Sequence, residues 1–260
     1  MAIVQARMGS SRLPGKSLAM VVGRPLILHV LDRTQGCALV ERIVVATTGE
    51  REDDPLAAAV EDAGYCCFRG SRDDVLDRYY QAARLTGAGI IVRITADDPF
   101  KDPRIIDRMI GELLADPSLD YVSNTLEPTF PEGIDAEVFT FQALETAWRN
   151  ASLGSEREHV TPWIWKNRQR FKVKNIRHSD DLSHLRWTVD YPEDLRFCRA
   201  VYAELYRPGE LFFMEEILSL LARRPELQSI NQGIVRNAGY LASLRQDRTT
   251  PGPDKGHTTS

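Results

Sequence analysis

Cysteine is scarce: Cys37, the adjacent pair Cys66 and Cys67, and Cys198 are all that the 260 residues carry. Neighbouring cysteines do not readily bridge each other and no CxxC spacing occurs, so neither a disulfide framework nor a zinc site is signalled; buried, reduced thiols are the expectation. No apolar run approaches the ~20 residues of a membrane span, and "MAIV" leaves no room for a leader ahead of the first apolar stretch. A cytoplasmic protein with no membrane partner is therefore expected. An excess of positive charge is lacking too. The formal net charge of −4 argues against a chain devoted to wrapping nucleic acid. Two glycine fingerprints of nucleotide binding are also missing. No G-x-G-x-x-G follows the first strand, and Gly9 lies five residues before "GKS" where a P-loop needs four. A P-loop lysine opens a helix, whereas Lys16 leads into "SLAMVVGRP", β-branched and then broken by Gly23 and Pro25.

What is present is enough apolar residue for a full core, 43% of the chain, arranged with a rhythm. Ala2–Gln5, Arg42–Thr48, Tyr65–Phe68 and Gly89–Thr95 read as buried strands. Between them "PLILHVLDRTQG", "DPLAAAVEDAG" and "DVLDRYYQAARLTG" read as amphipathic helices, and "RIIDRMIGELLA" continues the pattern to about residue 115. Such alternation predicts an α/β fold with a doubly wound, mostly parallel, Rossmann-like sheet. The rhythm then changes. A proline-broken loop leads to a strand at Ala136–Phe141, helices at Gln142–Arg149 and Glu156–Lys166, and a strand near Phe171–Ile176. "HLRWTVDYPEDL" returns to strand and helix. The expectation is one domain over 1–244, with 124–181 as an inserted α+β subdomain laid over the main sheet. Residues 245–260, polar and rich in Pro, Gly and Thr, are expected to form a disordered tail.

The densest chemistry follows the first strand. In "AIVQARMGSSRLPGKSL", Arg7, Arg12 and Lys16 share a loop with Gly9 and Ser10, at the carboxyl edge of the sheet where ligands of such folds bind. Three cations and the loop amides suit a polyphosphate. "VRITADDP" ends a strand on Asp97 and Asp98, and an acid there can hold a hard cation bridging phosphate oxygens, or can merely stop the strand. Asp190 in "WTVDYPEDL" ends an apolar run before a proline-led helix, and local chemistry alone makes it an N-terminal cap.

The opening loop resembles the amino-terminal signature of the cytidylyltransferases that make CMP-sugars, a group including the acylneuraminate and 3-deoxy-manno-octulosonate enzymes. The branch called spore coat polysaccharide biosynthesis protein F fits best, through "IVVATT", "FRGSRDDVLDRYYQAA", "VRITADDP", "DYVSNT", "GIDAEVF", "SEREHVTP", "DLSHLRWTVDYPEDL" and "RNAGYLASL" in order. The resemblance covers nearly the whole chain, to about residue 244. It implies a nucleotide-diphospho-sugar transferase type of sheet, CTP as substrate, Mg2+ as cofactor and a homodimer. It implies that Asp97 and Asp190 are the metal ligands, and that Arg7, Arg12 and Lys16 are catalytic, binding the triphosphate with Ala6, Gly9, Ser10 and Thr95. It suggests Ser71, Asp73 and Arg78 for cytosine and ribose, although Arg78 could instead pair with Asp74 on its own helix.

The acceptor is expected beneath the insertion. Asp135 and Glu137 alternate along a strand and point the same way, towards sugar hydroxyls, an amine or solvent. Arg157, His159 and Arg186 suit an acceptor carboxylate or phosphate. Trp163, Trp165 and Trp187 read as core or dimer contacts. The expected activity is transfer of CMP from CTP to an acidic sugar with release of pyrophosphate, for surface polysaccharide or glycan biosynthesis. A phosphonate or amino-sugar acceptor, another nucleotide, or a catalytically silent sugar-nucleotide binder are the competing readings.

Overall fold

The computed structural model describes residues 1–249. Strand β1 (Ala2–Gln5) is followed by the cationic loop and by a two-stranded hairpin, β2 (Met20–Val21) and β3 (Arg24–Pro25). Helix α1 (Leu26–Gln35), β4 (Ile43–Thr48), α2 (Asp54–Asp62), β5 (Cys66–Gly70), α3 (Val75–Thr86), β6 (Ile90–Thr95) and α4 (Pro103–Ala115) then alternate. Next come β7 (Tyr121–Ser123), β8 (Glu137–Thr140), α5 (Phe141–Asn150), α6 (Gly154–His159), α7 (Pro162–Lys166) and β9 (Val173–Asn175). Helices α8 (Pro192–Leu205), α9 (Met214–Arg223) and α10 (Ala238–Thr249) close the described chain.

Seven strands form one sheet in the order β5-β4-β1-β6-β8-β7-β9. β1, β4, β5 and β6 pair in parallel, β8 runs antiparallel to both β6 and β7, and β9 is parallel to β7, so the sheet is mostly parallel. Successive strand residues face opposite sides. Ala2 and Val4 enter one apolar layer with α1, α4 and α8, while Ile3 enters the other with α3 and α5. The helices begin where their sequences offer caps. Asp74 accepts from the Asp77 amide at α3 (2.8 Å), and Asp102 does so from Arg104 before Pro103 opens α4 (3.0 Å). Among the described residues no helix is long and apolar enough to cross a membrane.

Four expectations need correction. The segment 124–181 is woven into the main sheet, not laid over it, because β8 inserts between β6 and β7 with Val138 and Phe139 fully buried. The helix expected over Glu156–Lys166 breaks at Val160, whose φ of 72° and ψ of −56° turn the chain sharply while Thr161 N donates to His159 O (2.8 Å). "HLRWTVD" is apolar for burial only. Its amides pair with loops, Trp187 N with Glu132 O (2.7 Å) and Val189 N with Asp97 O (2.8 Å), so it joins no ladder beyond one bridge at Arg186. The expected tail from 245 is helical through Thr249, and its remainder lies outside the described residues.

Candidate active site

β1 and β6 lie side by side in register, Gln5 opposite Thr95, so the cationic loop and the "TADD" turn leave the sheet at the same edge. The loop is tied down locally. Met8 N donates to Asp53 Oδ1 (2.6 Å), Gly15 N to Met8 O (3.0 Å) and Ser17 Oγ to Arg7 O (3.3 Å). Gly15 takes a left-handed φ of 73° and starts a single 3-10 turn, Lys16–Leu18, that turns the lysine inward. The Asp190 segment is brought to the same edge by the Val189 to Asp97 hydrogen bond. Gly133 permits this: with φ 107°, a Cβ there would meet Thr188 N and Trp187 C at 2.6 Å.

The three segments meet at one ammonium. Lys16 Nζ donates to Asp97 Oδ2 (2.6 Å), Asp190 Oδ1 (2.8 Å) and Val189 O (2.9 Å). Arg12 Nη2 sits 2.6 Å from the same Asp190 oxygen, its guanidinium over the Tyr191 ring. Burial opposes charge on Lys16, yet the two carboxylates outweigh it and raise its pKa. Burial likewise opposes charge on Asp97, but the Lys16 ammonium and hydrogen bonds hold its pKa down at about 2. Both groups are charged at neutral pH. Two carboxylates that share one small cation can also hold a hard divalent ion, which takes one or two protein carboxylates and completes its shell with phosphate and water. No denser cluster of potential ligands occurs among the described residues.

Two clefts open from this point. The first, about 510 Å³, runs along the opening loop past Ala6, Arg7, Ser10, Arg12, Lys16 and Thr95 to Val75 and Arg78. The second, about 400 Å³, runs the other way past Asp98, Glu132, Asp135, Glu137, Trp165 and Arg168. Arg12, Thr95, Asp97, His159, Asp190 and the start of α10 line both. Most of the expected nucleotide set is therefore assembled. Arg78 is not paired to Asp74; its guanidinium donates to the Ser71 and Arg72 carbonyls (2.6 and 3.0 Å).

Five expected residues are placed elsewhere. Gly9 is exposed, its α-carbon face turned to the Glu52 carboxylate. Ser71 accepts from the Asp74 amide (3.2 Å) and Asp73 projects into solvent, because the turn that caps α3 takes them away from the cleft. Arg157 clamps Asp74 and the Trp148 carbonyl, joining α6 to α3. Arg186 is buried behind the site, bound to Glu132 (2.6 Å) and Asp194 (2.9 Å) and 3.4 Å from Asp190, which it steadies from the far side. The sequence shows the two arginines as cations but not that neighbouring acids consume them.

Asp135, Glu137 and His159 do line the second cleft. Asp135 is held by Arg236 (2.7 Å), and Glu137 by Arg93, Tyr121 and Thr161. Asp98 accepts from Thr95 Oγ1 (2.6 Å) and Lys101 (2.7 Å), so it braces the turn behind Asp97. Trp187 is core, whereas Trp165 stands half-buried at the cleft. Missed entirely are Glu158 and the α10 residues Ala238, Gly239, Ala242 and Ser243, which wall the first cleft. The signal was the small-residue spacing in "NAGYLASL", whose chemistry shows only once the helix is docked on α6.

Fold and site together define an α/β protein with a cationic crevice and two carboxylates at the carboxyl edge of its sheet, the arrangement of a nucleotidyltransferase. A family model described as "Cytidylyltransferase" matches residues 1–202, and the chain belongs to that family. It is 32% identical to the spore coat polysaccharide biosynthesis protein SpsF of Bacillus subtilis, over 86% of this chain and 94% of that one. It is 39% identical to the 3-deoxy-manno-octulosonate cytidylyltransferase of Pelobacter propionicus, over 45% of this chain and 46% of that one. A cytidylyltransferase structure from Leptospira borgpetersenii superposes with a TM-score of 0.85 at 31% identity, covering 90% of this chain and 98% of that one.

Proposed function

We propose that this cytidylyltransferase transfers CMP from CTP to a hydroxyl of an acidic sugar of the ulosonate class, releasing pyrophosphate, in the making of a surface polysaccharide or glycan. The observation that carries the reading is the contact of Lys16 with both Asp97 and Asp190 where two clefts meet. One cleft has the cations for a triphosphate and the other has room for an acceptor. Asp97 and Asp190 are the pair that would hold Mg2+, which when bound supplies positive charge at the phosphates and lowers the pKa of a bound hydroxyl.

The chain's own residues do the remainder. Lys16 and Arg12 turn from the carboxylates to the triphosphate, Arg7 meets it at the cleft mouth, and Ser10 with the loop amides completes the cradle. Charge grows on the leaving pyrophosphate, and cations drawn against it when the nucleotide binds stabilise that charge. Arg78, tied to the loop before α3, forms the base end of the cleft with Val75. Asp135 and Glu137, each held in place by an arginine, offer oxygens to sugar hydroxyls. A cytoplasmic homodimer completes the reading.

One observation favours a second acceptor. With Arg157 and Arg186 withdrawn, the second cleft is lined by Asp98, Glu132, Asp135 and Glu137, each bound to a cation of the chain, and their remaining lone pairs suit the hydroxyls and amine of an amino sugar. Pyrophosphate release from CTP across ulosonic acids, amino sugars and phosphonates separates the two. Turnover confined to ulosonic acids upholds the first reading, and turnover confined to amino sugars replaces it with the second. Asp97→Asn and Asp190→Asn should each abolish release while leaving the circular dichroism spectrum unchanged. Full turnover in both would remove the metal assignment.

A further inference from the structure

His159 occupies the seam between the two clefts and is held there by unusual means. It sits immediately before Val160, a β-branched residue whose positive φ opens a three-residue turn closed by Thr161 N on His159 O. Strained turns of this kind persist only where the surroundings enforce them, and they concentrate at functional sites. The surroundings here are α10 on one side and the Glu137 network on the other. Tyr240 of α10 packs edge-on against the imidazole, and Thr161 hydrogen-bonds to Glu137.

The ring's hydrogen bonds fix which nitrogen carries the proton. His159 Nε2 lies 3.0 Å from Ser243 Oγ. Ser243 has a single proton, and two other acceptors compete for it, Glu158 Oε2 at 2.6 Å and the Gly239 carbonyl at 3.2 Å. A charged acceptor at the shorter distance takes it. Ser243 Oγ is therefore left to accept, and Nε2 to donate. The Glu158 carboxylate, 3.6 Å from Nε2, favours a proton on the same nitrogen. Nδ1 takes no hydrogen bond among the described residues, which leaves its lone pair free on a ring that lines both clefts. Burial lowers the pKa of His159 to about 4 against the opposing pull of Glu158, so the ring stays neutral.

We propose that Glu158 and Ser243 hold His159 in the Nε2–H form, so that Nδ1 accepts a hydrogen bond from the attacking hydroxyl of the acceptor and aims its oxygen at the nucleotide. The inference rests on the transfer reading above. Glu158 and Ser243 are positioning residues. They lie on different helices, α6 and α10, and Ser243 lies beyond the residues matched by the family model.

Two measurements on the full chain test it. Long-range 15N–1H correlation of the histidine rings at pH 7, with His159 identified by its loss in His159→Asn, should show a protonated Nε2 and a bare Nδ1. Ser243→Ala should mix the two forms. A protonated Nδ1 in the wild type overturns the proposal. In pyrophosphate-release kinetics, His159→Ala should lower kcat by about tenfold, the worth of one lost hydrogen bond to the attacking oxygen, with KM for CTP unchanged. His159→Asn, whose amide oxygen reaches the Nδ1 position, should restore part of that loss, and Ser243→Ala should lower kcat by less than His159→Ala. Equal rates in wild type and His159→Ala overturn the role of Nδ1 while leaving the transfer reading intact. A wild type that releases pyrophosphate with no acceptor overturns the transfer reading and the role of Nδ1 with it; the spectrum still reports the tautomer separately.

Discussion

Two carboxylates that share a pocket repel unless a cation stands between them, and in this chain that cation is Lys16. Removing it should have two separable effects. Lys16→Ala takes the cation from Asp97 while Asp190 keeps Arg12 and Arg186, and breaking a fully buried pair costs about 3–5 kcal/mol. Asp97 keeps 26% of its side chain exposed, so a loss of about 2 kcal/mol in urea unfolding is expected, solvent screening having been allowed for. The same variant should raise KM for CTP at least tenfold, the worth of about one charge-assisted hydrogen bond. Unchanged unfolding and unchanged KM would return the lysine to an incidental role. His159 gives a prediction in pH. Its pKa is lowered from 6.5 to about 4 on folding, so between those values the unfolded chain takes up the proton and the folded chain does not. Stability is therefore full above pH 6.5 and falls as pH drops towards 4. Thermal melts over that range should show a fall in Tm that is smaller in His159→Asn.

Helix α6 is short, and its place is set by what clamps it. Arg157 ties it to the capping residue of α3 through Asp74, and Asp247 of α10 accepts from the Ser155 amide (3.0 Å). Arg157→Ala should cost about 1–2 kcal/mol in stability, since its charge-assisted bonds are only partly exposed. It should leave KM for the acceptor within about twofold, measured by pyrophosphate release. An acceptor-binding arginine would give the reverse pattern, a large change in KM with intact stability. This is also where the sequence is least legible. β1, β4 and β6 announce themselves by β-branched runs, and the loops after them by cations and acids at strand ends. β7 is only three residues long and shows no pattern above its neighbours. The "HLRWTVD" run has the apolar content of a strand, because burial demands it, but its partners are loop carbonyls that no periodicity reveals. The helix break at Val160 is invisible because a valine with positive φ is chosen by tertiary packing against its own preference.

For the whole molecule, convergence at the sheet edge was legible in part: an acid ending β6 and a cationic loop ending β1 must emerge together once the two strands are paired. Asp190 reaches them by a different route, through Gly133 and a single backbone bond to Asp97, and only the resemblance pointed to it. One consequence belongs to the assembled site and to no single residue. In the free enzyme Lys16 and Arg12 occupy the carboxylates that a divalent cation needs. Mg2+ alone must compete with both, and CTP alone must draw both away and leave the acids facing each other. Each ligand removes an obstacle to the other, so by linkage they bind with mutual gain. Thermal shift should therefore be small with Mg2+ alone and modest with CTP alone. With both present the stabilisation should exceed the sum of the two, approaching about 2.7 kcal/mol at a hundredfold excess over the dissociation constant. In Lys16→Ala the response to Mg2+ alone should grow, because one of the two competing cations has gone and Asp97 has lost its partner. Additive shifts in the wild type, with no larger Mg2+ response in the variant, would mean that Lys16 and the metal do not share a place.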